Sequence, residues 1–168
     1  MALEVTAPVM TPELRDPWHA PSTALGSLSP ASRERLAAIG GHAAFETGEI
    51  VLRDGVPTPF LGVVEAGRVG LRLSVPERGN QTVVTIEPGE LVGWSAVVPP
   101  FRATADAIAL EPTRVETFEA SALRELLAAD RDLAAELLPI LLACVSDRLT
   151  TSWQQLLDLF AGGPSDPW

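Results

Sequence analysis

Turn-forming residues divide the stretch from His42 to Phe118 into short apolar segments, and this division constrains the fold more than any other feature. Glycine stands in nearly every connection, at Thr47-Gly48, Asp54-Gly55, Ala66-Gly67, Arg78-Gly79-Asn80 and Pro88-Gly89. The segments between these turns predict strands over residues 43–45, 49–53, 60–64, 67–75, 81–86, 103–110 and 114–118. Short strands at nearly regular spacing are typical of an antiparallel barrel or jelly roll.

Apolar and polar residues alternate within the predicted strand at 67–75. The apolar set is Val69, Leu71, Leu73 and Val75, and the polar set is Arg68, Arg72 and Ser74. Because successive side chains of a strand point to opposite faces, this pattern predicts one face in the core and one in water.

Helical patterns flank the strand region. Ser29 followed by Pro30 predicts a helix start, and Leu36 and Ile39 give this short helix an apolar side before Gly40-Gly41 ends it. Beyond the strands, residues 121–127 predict a brief helix, and Asp130 is placed to cap a long one reaching about residue 161. The chain is therefore expected to be mainly β with flanking helices (α+β).

An apolar seam runs along the predicted long helix. Its members step by four and three residues: Leu138, Leu142, Val145, Leu149, Ser152, Leu156 and Leu159. Such a seam suits a partner helix and predicts a homodimer with Leu138, Leu142, Val145, Leu149 and Leu156 at the interface, while Leu137, Leu141 and Trp153 add apolar surface. The alternative is that the seam packs on the chain's own barrel. Pro139 must lie in the first turns or bend the helix axis.

Length and local amino-acid composition predict one domain between two irregular terminal segments. With 168 residues and 46% hydrophobic content, the chain can bury one sizeable core. Residues 1–27 form a proline-rich arm, residues 28–162 the domain, and residues 163–168 a tail. Within the domain, a roll over 42–118 is followed by helices over 119–161.

Charge and apolar run length indicate where this chain acts. The net charge is −10 and the twelve basic residues are scattered, which argues against direct nucleic-acid binding. We expect no membrane association and a cytoplasmic location, because no apolar run is long enough for a bilayer and the start lacks a signal-peptide pattern. The single Cys144 lies in an apolar helical run and is expected to be a buried structural thiol.

The segment from Pro88 to Ala105, called the cassette segment below, predicts a small anion site. Gly93 permits a close backbone approach or a positive φ, and the residues after it could form one helical turn with free N–H groups. Arg102 supplies a guanidinium suited to phosphate or carboxylate. The predicted ligand-binding residues are Gly93, Trp94, Ser95, Arg102, Ala103 and Thr104.

These landmarks together resemble cyclic nucleotide-binding domains, most closely the catabolite activator protein class. They are residues 47–55, residues 62–67, the Pro88–Gly93 turn with the arginine loop after it, residues 109–111 and the long terminal helix. The resemblance spans roughly residues 28–160 and implies an eight-stranded β-roll, a phosphate-binding cassette between two roll strands, and a terminal helix that dimerises and covers the ligand. Only residues 162–168 follow that helix, so we expect no helix-turn-helix DNA-binding module.

Two positions depart from the family pattern. Where family members have a glutamate for the ribose 2′-hydroxyl, this chain has Trp94. Counted back from Ala109, the family's phosphate arginine falls on Ala103, so Arg102 stands one residue early, which in a strand is a change of face. The alternative is that the loop through Pro99-Pro100 absorbs the offset and Arg102 still reaches the pocket. Glu90 belongs to the preceding turn and cannot replace the missing acid without a shift of the glycine.

The departures leave three hypotheses for the cassette segment. It is a weakened or altered site for a cyclic nucleotide (cAMP or cGMP), a site for another small anionic or aromatic ligand, or a vestigial loop in which Arg102 pairs with Asp106 or Glu90. The first two make the chain a stand-alone sensor that signals to a protein partner. The third makes it a ligand-free dimeric adaptor on the same fold.

A third class of function is that of a metalloenzyme on a cupin-like barrel. Such sites need two or three histidines with a carboxylate, and this chain has only His19, in the proline-rich arm, and His42, before the first strand. Ser95 has no histidine positioned as a base. We therefore expect no catalytic residues and no metal ligands.

Overall fold

The computed structural model describes residues 24–75 and 79–161, without the side chains of Val75, Leu156, Leu159, Phe160 and Ala161. The strands are β1 (Gly40–Phe45), β2 (Ile50–Leu52), β3 (Phe60–Ala66), β4 (Val69–Val75), β5 (Gly79–Ile86), β6 (Leu91–Val92), β7 (Asp106–Ala109) and β8 (Thr113–Glu119). The helices are α1 (Pro30–Ala37), α2 (Ala120–Ala129) and α3 (Arg131–Ala161). Residues 1–23 of the predicted arm and the predicted tail lie outside the described residues.

The strands form two four-stranded antiparallel sheets, ordered β1-β8-β3-β6 and β2-β7-β4-β5. This arrangement confirms the antiparallel roll with flanking helices. The sequence pattern missed β6, because a two-residue strand is too short to show a period. The predicted strand over 103–110 is shorter in the structure, where β7 begins at Asp106 and residues 103–105 remain in the loop.

Two apolar clusters form the core. The roll cluster lies between the sheets and contains Val51, Leu52, Val64, Val69, Ile86, Val92, Ala103, Ala107, Ala109 and Val115. The helix-side cluster joins the first sheet to all three helices and contains Leu25, Leu28, Leu36, Leu61, Val63, Leu91, Ala96, Phe118, Ala120, Leu123, Leu133, Leu137 and Leu141. The first sheet is therefore covered on both faces, which explains why residues 61–64 are all buried.

The one-sided burial predicted for β4 holds only near its start. Val69 is fully buried, whereas the Leu73 side chain is 41% exposed. Strand β7 pairs with β4 from Val69 to Arg72, and beyond that point, among the described strands, β4 pairs with β5 alone. The prediction that Leu73 faces the core is therefore wrong, because its side chain lies where the β4–β5 hairpin extends past the pairing with β7.

Side-chain caps start two of the helices where the sequence predicts them. Ser29 Oγ accepts a hydrogen bond from Ser32 N at 3.2 Å, with Pro30 at the first helical position of α1. Asp130 Oδ1 accepts from Leu133 N at 3.0 Å at the start of α3. Pro139 lies inside α3, which continues to Ala161.

Helix α3 has a core face and an exposed apolar stripe. Leu133, Leu137 and Leu141 are buried in the helix-side cluster, so the prediction that Leu137 and Leu141 add exposed surface is wrong. The exposed stripe contains Leu138, Leu142, Leu149, Trp153 and Leu157, and Val145 beside it is half-buried. The alternative that the seam packs on the chain's own barrel is therefore wrong for Leu138, Leu142 and Leu149; the side chain of Leu156 lies outside the described set.

The carboxylate that caps α2 gives a pH-dependent prediction. Glu119 Oε2 accepts hydrogen bonds from Ala122 N and Ser121 Oγ, each at 2.7 Å, and these bonds lower the pKa of Glu119 from 4.5 to about 2. Because the folded-state pKa is depressed, the stabilisation is present above pH 4.5 and is lost as the pH falls toward 2. We expect Glu119→Gln to reduce the free energy of unfolding at neutral pH and the deficit to shrink across that window.

Urea denaturation of both proteins at several pH values measures this deficit. Glu125→Gln is the matched control, because Glu125 is exposed on the same helix and its side chain makes no hydrogen bond within the described residues. A Glu119→Gln deficit that stays constant down to about pH 2 would contradict the capping role.

Within the described part of the chain, no helix combines the length and the hydropathy that crossing a bilayer requires. Among the same residues, no three His, Cys, Asp or Glu side chains are grouped so as to hold a metal ion. Cys144 is free and half-buried against the helix-side cluster, and its burial raises the pKa of the thiol.

Candidate ligand site in the cassette segment

Gly93 begins a tight turn that only glycine fits. Its φ is +77°, and Trp94–Ala96 form a single 3₁₀ turn after it. A Cβ atom at position 93 would lie 2.4 Å from the backbone oxygen of Phe60. Both features expected of this glycine, a left-handed backbone and a close approach, are present together.

The two residues after Gly93 lie in different surroundings. Trp94 is half-buried against the helix-side cluster, so its indole packs toward the helices and fills volume there. Ser95 is 5% exposed, and its Oγ lies 2.7 Å from Oγ1 of the buried Thr58. This bond joins the turn to the loop between β2 and β3. The position that carries an acid in the resemblance therefore holds an aromatic side chain packed on the helix-side cluster.

Backbone pairing determines which way Arg102 and Ala103 point. The β2–β3 loop pairs with the end of the cassette segment through Gly55 N to Ala103 O at 2.9 Å and Ala103 N to Val56 O at 3.0 Å. In this extended pairing Ala103 is 6% exposed and belongs to the roll cluster, whereas Arg102 is exposed on the other face. The one-residue offset read from the sequence therefore does change the face on which the guanidinium lies.

The guanidinium of Arg102 binds the protein's own backbone. Arg102 Nη1 donates to the carbonyl oxygen of Gly55 at 2.7 Å. The predicted pairing of Arg102 with Asp106 or Glu90 is wrong, because Asp106 Oδ1 accepts from Asp54 N and Glu90 Oε2 accepts from Glu87 N. The next predicted site residue, Thr104, is exposed.

Arg124 of α2 holds the cassette segment at two points. Its Nη1 donates to Ala96 O at 2.7 Å, and its guanidinium carbon lies 4.7 Å from the centroid of the Phe101 ring. Phe101 has a φ of +62°, an uncommon backbone conformation for a residue other than glycine. The hydrogen bond and the cation–π contact together join both ends of residues 97–100 to the helical layer.

Helix α3 also binds the strands that flank the cassette segment. Arg148 Nη2 donates to Leu91 O in β6, two residues before Gly93, and Gln155 Nε2 donates to Val83 O in β5. Sequence reasoning missed Arg124 and Arg148. Their only signal was a basic residue on an amphipathic helix, which does not reveal a carbonyl acceptor far away in the sequence.

A groove of about 330 Å³ opens beside the cassette segment, at the position where the resemblance places the phosphate arginine. Its lining residues are mostly apolar: Ile50, Val51, Leu52, Arg53, Val56, Pro57, Thr58, Pro59 and Ala103. The predicted residues thus divide into three groups. Gly93 and Ser95 contact the lining residues Leu52 and Thr58, and Ala103 lines the groove itself. The other three, Trp94, Arg102 and Thr104, lie outside the lining.

Comparison with known proteins agrees with this architecture. The cyclic nucleotide-binding domain family matches residues 43–130. The chain is similar in structure to a cyclic nucleotide-binding protein from Geobacter metallireducens, with 27% identity and a TM-score of 0.67 over 75% of this chain and 91% of that one. A cyclic nucleotide-binding domain from Methylobacillus flagellatus gives 24% identity and a TM-score of 0.71 over 78% and 74% of the two chains.

The catabolite activator protein of Thermus thermophilus shares the fold, with 20% identity, a TM-score of 0.63, and coverage of 84% of this chain and 63% of that one. No curated protein matches the sequence. Because the family match extends over half of the chain and includes the roll and the cassette segment, this chain belongs to the cyclic nucleotide-binding domain family.

Proposed function

We propose that this protein is a regulatory domain that signals through protein contacts and has a degenerate phosphate-binding cassette. The observation that carries the proposal is the position of Arg102. Its guanidinium lies on the outer face and binds Gly55 O, while the buried Ala103 occupies the position of the family's phosphate arginine. The carboxylate that would bind a ribose hydroxyl is absent as well, because Trp94 stands there.

The energetic consequence is a large loss of cyclic-nucleotide affinity. A charged hydrogen bond to a ligand contributes roughly 1.5–3 kcal/mol, and the cassette segment lacks two of them. Their combined loss corresponds to an affinity reduction of about a hundredfold or more. A cyclic nucleotide such as cAMP or cGMP, if it is the ligand, therefore binds weakly, and another small anionic ligand is the alternative.

The signalling surface that we propose is the exposed apolar stripe of α3. Leu142 is 70% exposed and Trp153 is 58% exposed, which is unusual for large apolar side chains on a monomer. A second copy of α3 would cover the stripe in a two-fold homodimer. Through Arg124, Arg148 and Gln155 the helical layer contacts the cassette segment and its flanking strands, so a change in one can alter the packing of the other.

Partners and location follow from the same features. We propose a protein partner and no direct nucleic-acid contact, because the net charge of −10 repels phosphates. A cytoplasmic location suits a chain with a single cysteine and hence no disulfide framework. We propose no catalytic role.

A ligand-free dimeric adaptor is the second candidate function. Ser95 Oγ is bonded to Thr58, Trp94 is packed on the helix-side cluster, and Arg102 is bonded to Gly55. The side chains of Ser95 and Arg102 thus have hydrogen-bond partners within the protein, which favours a loop that keeps its shape without a ligand.

The test is a thermal-shift titration of the wild-type protein with cAMP and cGMP, beside a variant carrying Trp94→Glu and Ala103→Arg. We expect wild type to gain less than about 1.4 kcal/mol of stability at 1 mM nucleotide, which corresponds to a Kd above about 0.1 mM. The double variant restores the family's acid at position 94 and places an arginine at position 103, which lines the groove, and it should bind at least about tenfold more tightly.

Each variant is compared with its own nucleotide-free melting temperature, so a change in basal stability does not affect the reading. Arg102→Ala is the matched control, because its guanidinium lies on the outer face and should not change the nucleotide response. Micromolar binding of cAMP by wild type, lost in Arg102→Ala, would refute the degenerate cassette. A complete absence of response in wild type together with an intact dimer would favour the adaptor.

A further inference from the structure

The groove beside the cassette segment has the character of a small-molecule site. Apart from Arg53 and Thr58, every residue that lines it is apolar. Two of the lining side chains, Ile50 and Val56, are 40% and 45% exposed at its rim. Apolar surface left open to water around a concave site is typical of ligand-binding grooves.

Hydrogen bonds fix the wall of the groove in place. Gly55 and Val56 pair with the backbone of Ala103, and Thr58 N donates to Phe101 O at 2.9 Å. The Arg102 guanidinium adds a bond to Gly55 O. A wall held in this way loses little conformational freedom when a ligand binds, so the binding free energy is not spent on ordering the loop.

One positive charge stands at the groove. Within residues 24–75 and 79–161, the exposed side chain of Arg53 makes no hydrogen bond or ion pair, although its backbone oxygen accepts from Val56 N. The other polar side chain in the lining, Thr58, is already bonded to Ser95. Among its side chains the lining therefore offers one guanidinium for an anion and one hydroxyl already engaged with Ser95, a poor match to the several hydroxyl and ring-nitrogen groups of a nucleotide.

We infer that the groove binds a small apolar molecule carrying a single carboxylate, with the carboxylate at Arg53 and the apolar body against Leu52, Val56 and Ala103. This inference rests on the proposed function, because it names the ligand class of the same regulatory domain. The body of the ligand replaces water on apolar surface, and the carboxylate forms a charge-assisted hydrogen bond to the guanidinium.

The groove is connected to the helical layer through the cassette turn. Thr58 in the lining is bonded to Ser95, and the next residue, Ala96, has its carbonyl bonded to Arg124 of α2. A ligand that presses on Thr58 therefore acts on a turn that is attached to the helices. This connection gives an occupied groove a route to the proposed signalling surface.

The experiment titrates the full ¹⁵N-labelled chain with hexanoate and with its uncharged analogue hexanamide, and follows the amide signals of Gly55, Val56 and Ala103. Hexanoate is expected to shift these signals saturably and to bind about five- to tenfold more tightly than hexanamide, a factor reduced by the exposure of Arg53. Arg53→Gln should remove this difference. Val56→Glu, at an exposed lining position, should weaken hexanoate at least about tenfold by charge repulsion.

Arg33→Gln is the matched control, because Arg33 is exposed on α1 and does not line the groove. Equal binding of the two probes, shifts confined to other parts of the chain, or hexanoate binding unchanged in Arg53→Gln would each overturn the inference. Titration with cAMP in the same samples separates the two proposals. Tight cAMP binding refutes the degenerate cassette, whereas failure of hexanoate with weak cAMP binding refutes only the carboxylate site.

Discussion

Replacing Gly93 with alanine is expected to lower the free energy of unfolding by about 3–5 kcal/mol, a large fraction of what a domain of this size has. Two costs add at this position. The φ of +77° disfavours any residue with a Cβ by about 1–2 kcal/mol. The new Cβ would also lie 2.4 Å from the carbonyl oxygen of Phe60, which is backbone and cannot rotate away.

Gly48→Ala is the matched control for this effect. Gly48 has a φ of +88°, and a Cβ there would meet nothing within 4 Å. It should therefore show only the conformational cost, about 1 kcal/mol. Urea denaturation of the two variants separates strain from contact. Equal losses in both would show that the close approach to Phe60 contributes nothing and that the turn can relax.

The double variant Leu142→Glu, Leu149→Glu is expected to convert the proposed dimer into monomers. The two leucines are 70% and 49% exposed, so their replacement should leave the fold of one chain unchanged. A two-fold interface would bring four new carboxylates together on apolar surface, and we expect the dimer to weaken at least about a hundredfold. Light scattering or sedimentation equilibrium measures the mass directly.

Gln154→Glu is the control for the dimer test, because it adds a negative charge at an exposed position of α3 outside the stripe. It should leave the mass of the dimer unchanged. A wild-type protein that is monomeric at high concentration would refute the homodimer. A dimer that persists in the double variant would mean that another surface forms the interface.

The element pattern could be predicted from sequence because it depends on short-range chemistry. Turn glycines and the two-residue period of the strands mark most of the roll, and the caps at Ser29 and Asp130 mark helix starts. Prediction from the sequence failed at β6, because a two-residue strand carries too little of this local signal. It also failed at Leu73, because the burial of a strand residue depends on strands that are far away in the sequence.

The sequence pattern also could not predict which face of α3 packs against the roll. Exposed and buried leucines of α3 are direct neighbours in the sequence. Exposed Leu138 follows buried Leu137, and exposed Leu142 follows buried Leu141. Helical periodicity separates such residues into faces but does not say which face meets the roll. The contacts of Arg148 and Gln155 with β6 and β5 show how α3 lies against the roll, and they involve residues 57 and 72 positions apart.

The sequence by itself determined the class of fold and the place of the cassette segment. Both follow from spacing along the chain, because backbone geometry fixes the strand period and the glycine conformation. The sequence raised a change of face at Arg102 but left open that the loop through Pro99-Pro100 absorbs the offset. Only the tertiary structure decided what the side chains bind. The partners of Arg102, Ser95 and Arg124 lie 47, 37 and 28 residues away, and such contacts depend on how the sheets and helices pack rather than on any local period.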